Sequence, residues 1–256
     1  MSWILTATGR RLDLIGSTAA DIDALDIARG LSRACRFAGQ TVPFYSVAQH
    51  SVLASYLVPP EDALHALLHD AAEAYLGDLT GPLKRLLVSY HQALLNSAAE
   101  VAGMELAGFL ELLGNRLPAY WTVPSTALCI GVHADLPIYH QLEQHLLDLI
   151  TERFGISRNH PNSVAAIDLR LLATERRDLM PVDDEVWPQL DGIETLSGVI
   201  EPWSAERAEQ QFLQRLAELT APPRAVGSLI KQPIQDVRIS HAQSAPEDAF
   251  VLEEMS

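Results

Sequence analysis

The two adjacent residues His69 and Asp70, followed one helical turn later by Glu73, have the types and spacing best suited to chemistry in this sequence. A helix through positions i, i+1 and i+4 places Glu73 on the same face as the pair. An imidazole nitrogen beside a carboxylate is a donor set for a borderline divalent ion. Such an ion lowers the pKa of a bound water, and a neighbouring acid can then orient that water or move its proton. The pattern therefore indicates a metal-dependent hydrolase.

Further candidate residues flank this pair. His50 falls on the apolar stripe of the preceding helical pattern, so we expect its imidazole to point inward as a second nitrogen ligand. Asp78 lies just beyond the predicted end of the helix that carries Glu73, where it can assist that acid or hold substrate. Positive charges suited to a phosphate group are supplied by Arg36, Lys84 and Arg85.

The elements that must position these residues are predicted to be helices. Ser46, followed three residues later by Gln49, is a capping-box pattern, and Gly77 fits a helix C-terminus. The opening segment, residues 3–15, reads as extended chain or a short hairpin. Helical spacing predicts helices over about residues 23–34, 46–57, 60–76, 83–113 (broken near Gly103 or Gly108), 125–153, 162–178 and 204–220.

The composition predicts one globular domain followed by a tail. With 256 residues, 48% of them hydrophobic, the chain can bury one sizeable core. We assign residues 1–220 to this domain and 221–256 to an extended C-terminal arm, because periodicity is lost there. Residues 114–124 read as a connection, and 179–203 contain too many breakers for a regular element.

Charge and hydropathy exclude several classes of function. The net charge of −15 argues against binding of a nucleic-acid polymer, which usually needs a basic face. No apolar run approaches the length that spans a bilayer, and the N-terminus lacks the features of a signal peptide. Cys35 and Cys129 are far apart and form no metal-binding pattern, so a reducing cytoplasm is expected.

Three segments, taken in order along the chain, resemble the HD-domain metal-dependent phosphohydrolases. They read CRFAGQTVPFYSVAQHS, LLHDAAEAYLGDLTGPLK and AAIDLRLLATERRDLM, and the resemblance covers about residues 8–180. The chain looks most similar to the branch that contains bacterial 5′-deoxynucleotidases and phage-type deoxynucleoside triphosphate hydrolases, including those that remove dATP. The resemblance implies an all-α fold, an HD-domain helical bundle, which agrees with the helix-rich pattern.

The resemblance also implies a site for one divalent metal ion, with Zn, Mn, Co, Ni, Fe and Mg all open. By position, the implied ligands are His50, His69, Asp70 and Asp168. Asp135 and Asp178 are rivals of Asp168 for the last ligand position.

The catalytic and substrate residues follow from the same resemblance. Glu73 is implied as the acid that acts on the attacking water, with Asp78 as its partner. Arg36 and Lys84 match residues that contact phosphate in relatives, and Phe37 matches an aromatic position in the nucleoside pocket.

The function implied is hydrolysis of deoxynucleoside 5′-phosphates. We expect a dNTP triphosphohydrolase that releases deoxynucleoside and triphosphate, with dATP as the favoured substrate. A 5′-nucleotidase acting on deoxynucleoside monophosphates uses the same metal arrangement and is the alternative. A nucleotide-sensing module with little turnover, or an interaction protein with a structural metal, is less favoured because an acid lies beside an open site. Members of this family are commonly oligomers, so a homo-oligomer is expected.

Overall fold

The computed structural model describes residues 2–110, 137–159, 161–221 and 240–241, and most of their regular structure is helical. This confirms the all-α fold class. The α-helices of the described residues are α1 Ala24–Arg33, α2 Val47–Leu57, α3 Ala63–Leu68, α4 Glu73–Leu76, α5 Gly81–Val101, α6 Ile138–Phe154, α7 Asn162–Leu179 and α8 Ala205–Thr220. Short 3₁₀ turns occupy Ala19–Asp21, Arg36–Gly39, Pro60–Asp62 and Pro188–Leu190. The strands are β1 Trp3–Leu5, β2 Arg11–Asp13, β3 Gly198–Val199 and β4 Ser240–His241.

The N-terminal segment is a hairpin, as the sequence predicts. β1 pairs with β2 in antiparallel register, with Trp3 opposite Asp13 and Leu5 opposite Arg11. The Asp13 carboxylate accepts hydrogen bonds from Ser2 Oγ at 2.8 Å and from the backbone N–H of Ile15 at 3.0 Å. Polar contacts within the N-terminal segment therefore stabilise the hairpin, which ends before the first helix begins.

The central helix is α2, which packs against α1, α3, α7 and α8. Its residues are buried on all sides, because nine of its positions from Val47 to Ser55 are shielded from solvent. A helix surrounded in this way carries every side chain inward, and His50 is accordingly fully buried. The predicted inward position of His50 is confirmed.

The capping box predicted at the start of α2 is only half formed. Ser46 Oγ accepts from the backbone N–H of Gln49 at 3.2 Å, as expected of an N-cap. The Gln49 side chain does not complete the box. Its amide instead donates to Glu201 O at 2.7 Å and accepts from the Trp203 N–H at 2.8 Å. Because Gln49 is buried, its polar atoms must be paired, and the pairing ties a distant segment to α2.

The single helix predicted over residues 60–76 is interrupted at the His-Asp pair. Between α3 and α4 the backbone hydrogen bonds join residues three apart, as from Ala71 N to Leu68 O and from Glu73 N to Asp70 O, both at 3.0 Å. His69 explains the change, because its Nδ1 lies 2.8 Å from Ala66 O. In a regular α-helix this carbonyl would accept a hydrogen bond from the backbone N–H of Asp70. A tightened 3₁₀ stretch inside a helix often marks a functional segment.

The later helices follow the predictions where the structure describes them. α5 contains Pro82 in its first turn and ends at Val101, just before Gly103, whose φ is 64°. The predicted break near that glycine is confirmed, whereas the predicted connection 114–124 and the first part of the helix at 125–153 lie outside the described residues. α8 begins after Ser204, whose Oγ accepts from the backbone N–H of Arg207.

The irregular region 179–203 contains only one 3₁₀ turn and β3. β3 pairs in antiparallel fashion with β4, which lies in the predicted C-terminal arm. Ser240 and His241 therefore contact residues of the main domain, and apart from Ala221 the rest of the arm lies outside the described residues.

Two groups of buried side chains form the interior. The first, between α1, α2, α6 and α8, includes Ile27, Leu31, Val52, Leu146, Ile150 and Phe212. The second, where α2 meets α7 and the irregular region, includes Tyr45, Leu53, Leu171, Leu179 and Ile200. Among the described residues, no helix combines the length and apolar character needed to cross a membrane.

Gly30 allows α1 to approach α4, the short helix that begins with Glu73. A Cβ added at Gly30 would lie 2.5 Å from Ala74 O and 2.8 Å from Ala74 Cα. We expect Gly30→Ala to lower the free energy of unfolding by about 1–3 kcal/mol, although alanine is the better helix former. Urea denaturation measures the change.

Gly108→Ala is the matched control for this substitution. Its added Cβ meets only the flexible Met104 Cε at 3.5 Å, so its stability should be unchanged or higher. Equal effects of the two substitutions would contradict the packing argument.

Candidate metal centre

Three of the predicted ligands converge from three separate elements. His50 comes from α2, His69 follows α3, and Asp168 comes from α7. One donor atom from each lies within 4.8 Å of the other two, and this group could hold a metal ion. His50 Nε2 lies 3.3 Å from His69 Nε2 and 3.1 Å from Asp168 Oδ1.

Asp70 lies beside these three residues. Its Oδ2 is 3.2 Å from His69 Nε2 and 3.8 Å from His50 Nε2, although it does not belong to the tightest group. The rival Asp178 is paired instead with Arg177 at 2.6 Å, and the second rival, Asp135, lies outside the described residues. The structure thus brings all four residues implied by the resemblance to one place.

The electrostatics of the cluster suit a cation. Burial lowers the pKa of His69, but the Asp70 carboxylate outweighs it and raises that pKa to about 9. Burial raises the pKa of Asp70 and of Asp168, yet the adjacent imidazoles reverse this and hold both pKa values below normal. Two ionised carboxylates around two imidazole nitrogens therefore attract positive charge, and a divalent cation fits this donor set.

The orientation of both imidazoles is fixed from behind. Glu175 Oε1 lies 2.6 Å from His50 Nδ1, and Ala66 O lies 2.8 Å from His69 Nδ1. A carbonyl and an ionised carboxylate can only accept, so Nδ1 of each ring donates a hydrogen bond. Nε2 of both rings is thereby directed to the cluster, which is the usual arrangement of metal-binding histidines.

Glu175 is a site residue that the sequence analysis missed. Its side chain is fully buried, accepts from Tyr45 Oη at 2.9 Å and from Arg36 Nε at 3.2 Å, and also holds His50. Burial raises the pKa of Glu175, but Arg36 and His50 lower it by more than burial raises it. The net pKa lies below the usual value, so the carboxyl group is ionised. The available signal was its place two turns after Asp168, on the buried side of the same helix.

Arg36 lies beside the cluster, where it pairs with two carboxylates, and its contact with a phosphate stays a prediction. Its Nη1 lies 3.3 Å from Asp70 Oδ2, in addition to the contact of Nε with Glu175. The arginine is held by an unusual turn, because the following Phe37 and Ala38 have φ values of 55° and 53°. Side chains other than glycine rarely adopt this left-handed conformation, and such strain is often found at binding sites.

Glu73 lies one turn beyond Asp70, in a buried position. Lys84 Nζ is 3.3 Å from Glu73 Oε1, whereas Glu73 Oε2 is buried without a hydrogen-bond partner among the described residues. Burial, together with the Asp70 and Asp78 carboxylates, raises the pKa of Glu73 to about 9. This side chain can therefore take up a proton near neutral pH, and its free oxygen is available to a ligand.

Lys84 contacts a second acidic side chain besides Glu73. Its Nζ also lies 2.9 Å from Glu143 Oε1, on α6, and Tyr139 Oη donates to the same oxygen at 3.3 Å. Glu143 and Tyr139 were not predicted, because they come from a helix more than fifty residues further along the chain.

A cavity of about 530 Å³ adjoins the cluster through Arg36 and Asp78, both of which line it. Phe37 and Arg85 line the same cavity. Burial raises the pKa of Asp78, although Arg36 opposes the shift. The site therefore joins a cluster of metal-ligand type to a pocket of the size that small ligands occupy.

Comparison with known proteins gives two relatives. The chain is 35% identical over 222 residues to "Uncharacterized protein YfdR" of Escherichia coli, a match that covers 86% of this chain and 97% of YfdR. It is 44% identical over 92 residues to "Uncharacterized protein RCAP_rcc00048" of Rhodobacter capsulatus, covering 32% of this chain and 47% of that protein. No family model matches the chain.

Glu175 provides a test of the cluster that does not depend on any substrate. Glu175→Gln removes the charge that orients His50 and balances Arg36, so we expect divalent metal to bind about 10- to 100-fold more weakly. Calorimetric titration with Mn²⁺ or Zn²⁺ measures the affinity.

Glu152→Gln is the control, because Glu152 is an exposed residue of α6. It should bind metal as the unaltered protein does. Unchanged affinity in Glu175→Gln would show that His50 needs no such support.

Proposed function

The chain belongs to the same family as the Escherichia coli protein YfdR, and we propose that it is a metal-dependent phosphohydrolase of deoxynucleoside 5′-phosphates. The observation that carries the proposal is the convergence of His50, His69 and Asp168, with Asp70 beside them. An acid, two cations and a cavity surround this cluster, which is what hydrolysis of a phosphate requires.

In this proposal His50, His69, Asp70 and Asp168 hold one divalent ion. When bound, the ion supplies Lewis acidity and lowers the pKa of a water that it coordinates. The side chain of Asp168 is 42% exposed, whereas that of His50 is fully buried, so the cluster is open on one side. An open side favours a catalytic role, because structural zinc sites are usually closed by four ligands of Cys and His type.

Glu73 is the group that handles the proton. Its Oε1 is held by Lys84, and its Oε2 has no partner among the described residues and can meet the attacking water. Since its pKa is raised to about 9 in the metal-free site, Glu73 binds a proton readily. A nearby divalent charge would lower that pKa toward the working pH, where acid–base catalysis is most efficient. Asp78 adds negative charge beside this carboxyl.

Arg36 and Lys84 offset the charge of the phosphate. Arg36 uses Nε and Nη1 on Glu175 and Asp70, and no described residue accepts from its Nη2, so that nitrogen can donate to a phosphate oxygen. The ammonium of Lys84 has three donors, two of which contact Glu73 and Glu143. Both cations can therefore contact a phosphate without giving up the contacts that position them.

The substrate favoured is a deoxynucleoside triphosphate, with dATP first, cleaved to deoxynucleoside and triphosphate. The preference rests on the resemblance of the segments around His50 and Asp78 to phage-type enzymes. The same residues would also serve a 5′-nucleotidase. The proposal includes a cytoplasmic location and a homo-oligomeric state. The location is favoured because the chain has only two cysteines, which are far apart in the sequence, as is usual in a reducing compartment.

Product analysis tests the reaction. The purified protein is incubated with each deoxynucleoside mono- and triphosphate in Mn²⁺, Co²⁺ or Mg²⁺, and the products are separated by ion-exchange chromatography. We expect deoxynucleoside plus intact triphosphate from one dNTP. Inorganic phosphate from monophosphates alone would establish the 5′-nucleotidase. No turnover with metal bound would reject catalysis and favour the sensing module.

Two substitutions separate metal binding from proton transfer. Glu73→Gln should retain metal but lower kcat by about 100- to 10,000-fold, because it removes the proton-handling group. Asp168→Asn should lose the metal and the activity together, because it removes a ligand. Metal content is measured by atomic emission spectrometry. Full activity in Glu73→Gln would transfer the proton role to Asp78.

A further inference from the structure

The cavity beside the cluster has one wall that the metal chemistry does not use. Its volume is about 530 Å³, and it reaches from Arg36 and Asp78 to the irregular region that follows α7. The apolar and aromatic lining consists of Phe37, Pro82, Leu172, Met180, Val186, Trp187 and Pro188. A ligand anchored at Arg36 by its phosphate would extend along this wall.

Trp187 is the largest side chain of that wall, and it is held in place. Its ring centroid lies 6.3 Å from that of Phe37, with the planes tilted by 52°. The guanidinium carbon of Arg176 lies 4.8 Å from the centroid of the indole ring, and Arg176 is itself fixed by Asp183 at 2.8 Å. A rigid, partly exposed indole that is braced from one side suits the stacking of a flat ligand.

Three polar residues lie at the exposed rim of the cavity, away from Arg36 and Asp78. Gln40, Arg85 and Gln189 line the cavity and are all exposed, in contrast to Trp187. No hydrogen bond from the side-chain amides of Gln40 and Gln189 is formed among the described residues. Amide and guanidinium groups are the side chains that read the donor and acceptor edges of nucleobases. An aromatic wall with a polar rim matches a flat ring that has polar edges.

We infer that this cavity binds the planar base of the nucleotide, and that Trp187 is the residue on which the base stacks. The inference rests on the proposed function, since it names how that site takes its substrate. Trp187 lies beyond residues 8–180, which the resemblance to the phosphohydrolases covers, so the resemblance assigns it no role.

The test separates base binding from phosphate chemistry. With Mn²⁺ present, the full chain and its Trp187→Ala and Trp187→Phe variants are titrated with deoxyadenosine, which has a base and no phosphate. Stacking on an aromatic side chain predicts binding about 10- to 100-fold weaker in Trp187→Ala. Trp187→Phe should retain most of the affinity, because phenylalanine keeps a stacking face.

Two controls accompany these titrations. Trp3→Ala removes a tryptophan that is 37% exposed on the N-terminal hairpin, and its deoxyadenosine binding should be unchanged. Binding of inorganic triphosphate, a ligand with phosphates and no base, should be equal in the unaltered protein and Trp187→Ala. Circular dichroism and Mn²⁺ affinity report whether each variant is folded and retains its cluster.

The outcomes distinguish this inference from the proposed function. Equal deoxyadenosine affinity in folded Trp187→Ala, or no binding to the unaltered protein, overturns the inference, even where phosphate esters are hydrolysed. Binding that depends on Trp187 without any hydrolysis supports the base site and rejects the catalytic proposal. If Trp187→Ala is unfolded, the titration is made with Trp187→Leu, which fills space but has no stacking face; weaker deoxyadenosine binding supports the inference, and equal binding overturns it.

Discussion

The buried carboxylate of Glu175 is the interaction on which the rest of the site depends. A fully buried charge costs several kcal/mol unless it is paired, and here it is paired three times, by Arg36, Tyr45 and His50. These partners come from the 3₁₀ turn before α2, the chain that leads into α2, and α2 itself. One side chain of α7 therefore fixes the inner edge of the cluster, and any shift of α7 against α2 would leave charges unpaired.

Charge is balanced locally in the site, although the protein as a whole is acidic. The net charge of −15 does not attract an anionic nucleotide from a distance, and salt at physiological strength screens interactions beyond about 8 Å. Binding of an anionic ligand would then depend on the cations at the site itself. Arg36 and Lys84 each lie between two carboxylates, so they are positioned before any ligand arrives and need little rearrangement.

The sequence allowed prediction of the features that local spacing encodes. The His69-Asp70 pair with Glu73 and the N-cap at Ser46 were found from neighbours within one or two helical turns, whereas Asp168 was implied only by the resemblance to the phosphohydrolases. Glu175 was missed because its contact with Arg36 joins residues 139 apart, and no periodicity reports such a pairing. The interruption at His69 was missed for a related reason. Helical spacing does not show that the His69 side chain takes the Ala66 carbonyl from the backbone.

The side chains of the cluster differ in solvent exposure, and the buried side and the exposed side therefore have different roles. His50 and Glu175 are fully shielded, so their geometry is fixed by packing, whereas Asp168 is 42% exposed and lies at the open edge. A ligand on the exposed edge can exchange with solvent while the buried side keeps both imidazoles aimed. The cavity with Trp187 lies beyond Arg36, at the border of this arrangement. The buried side would thus hold the reacting group of a ligand, and the rest of the ligand would enter and leave through the exposed side.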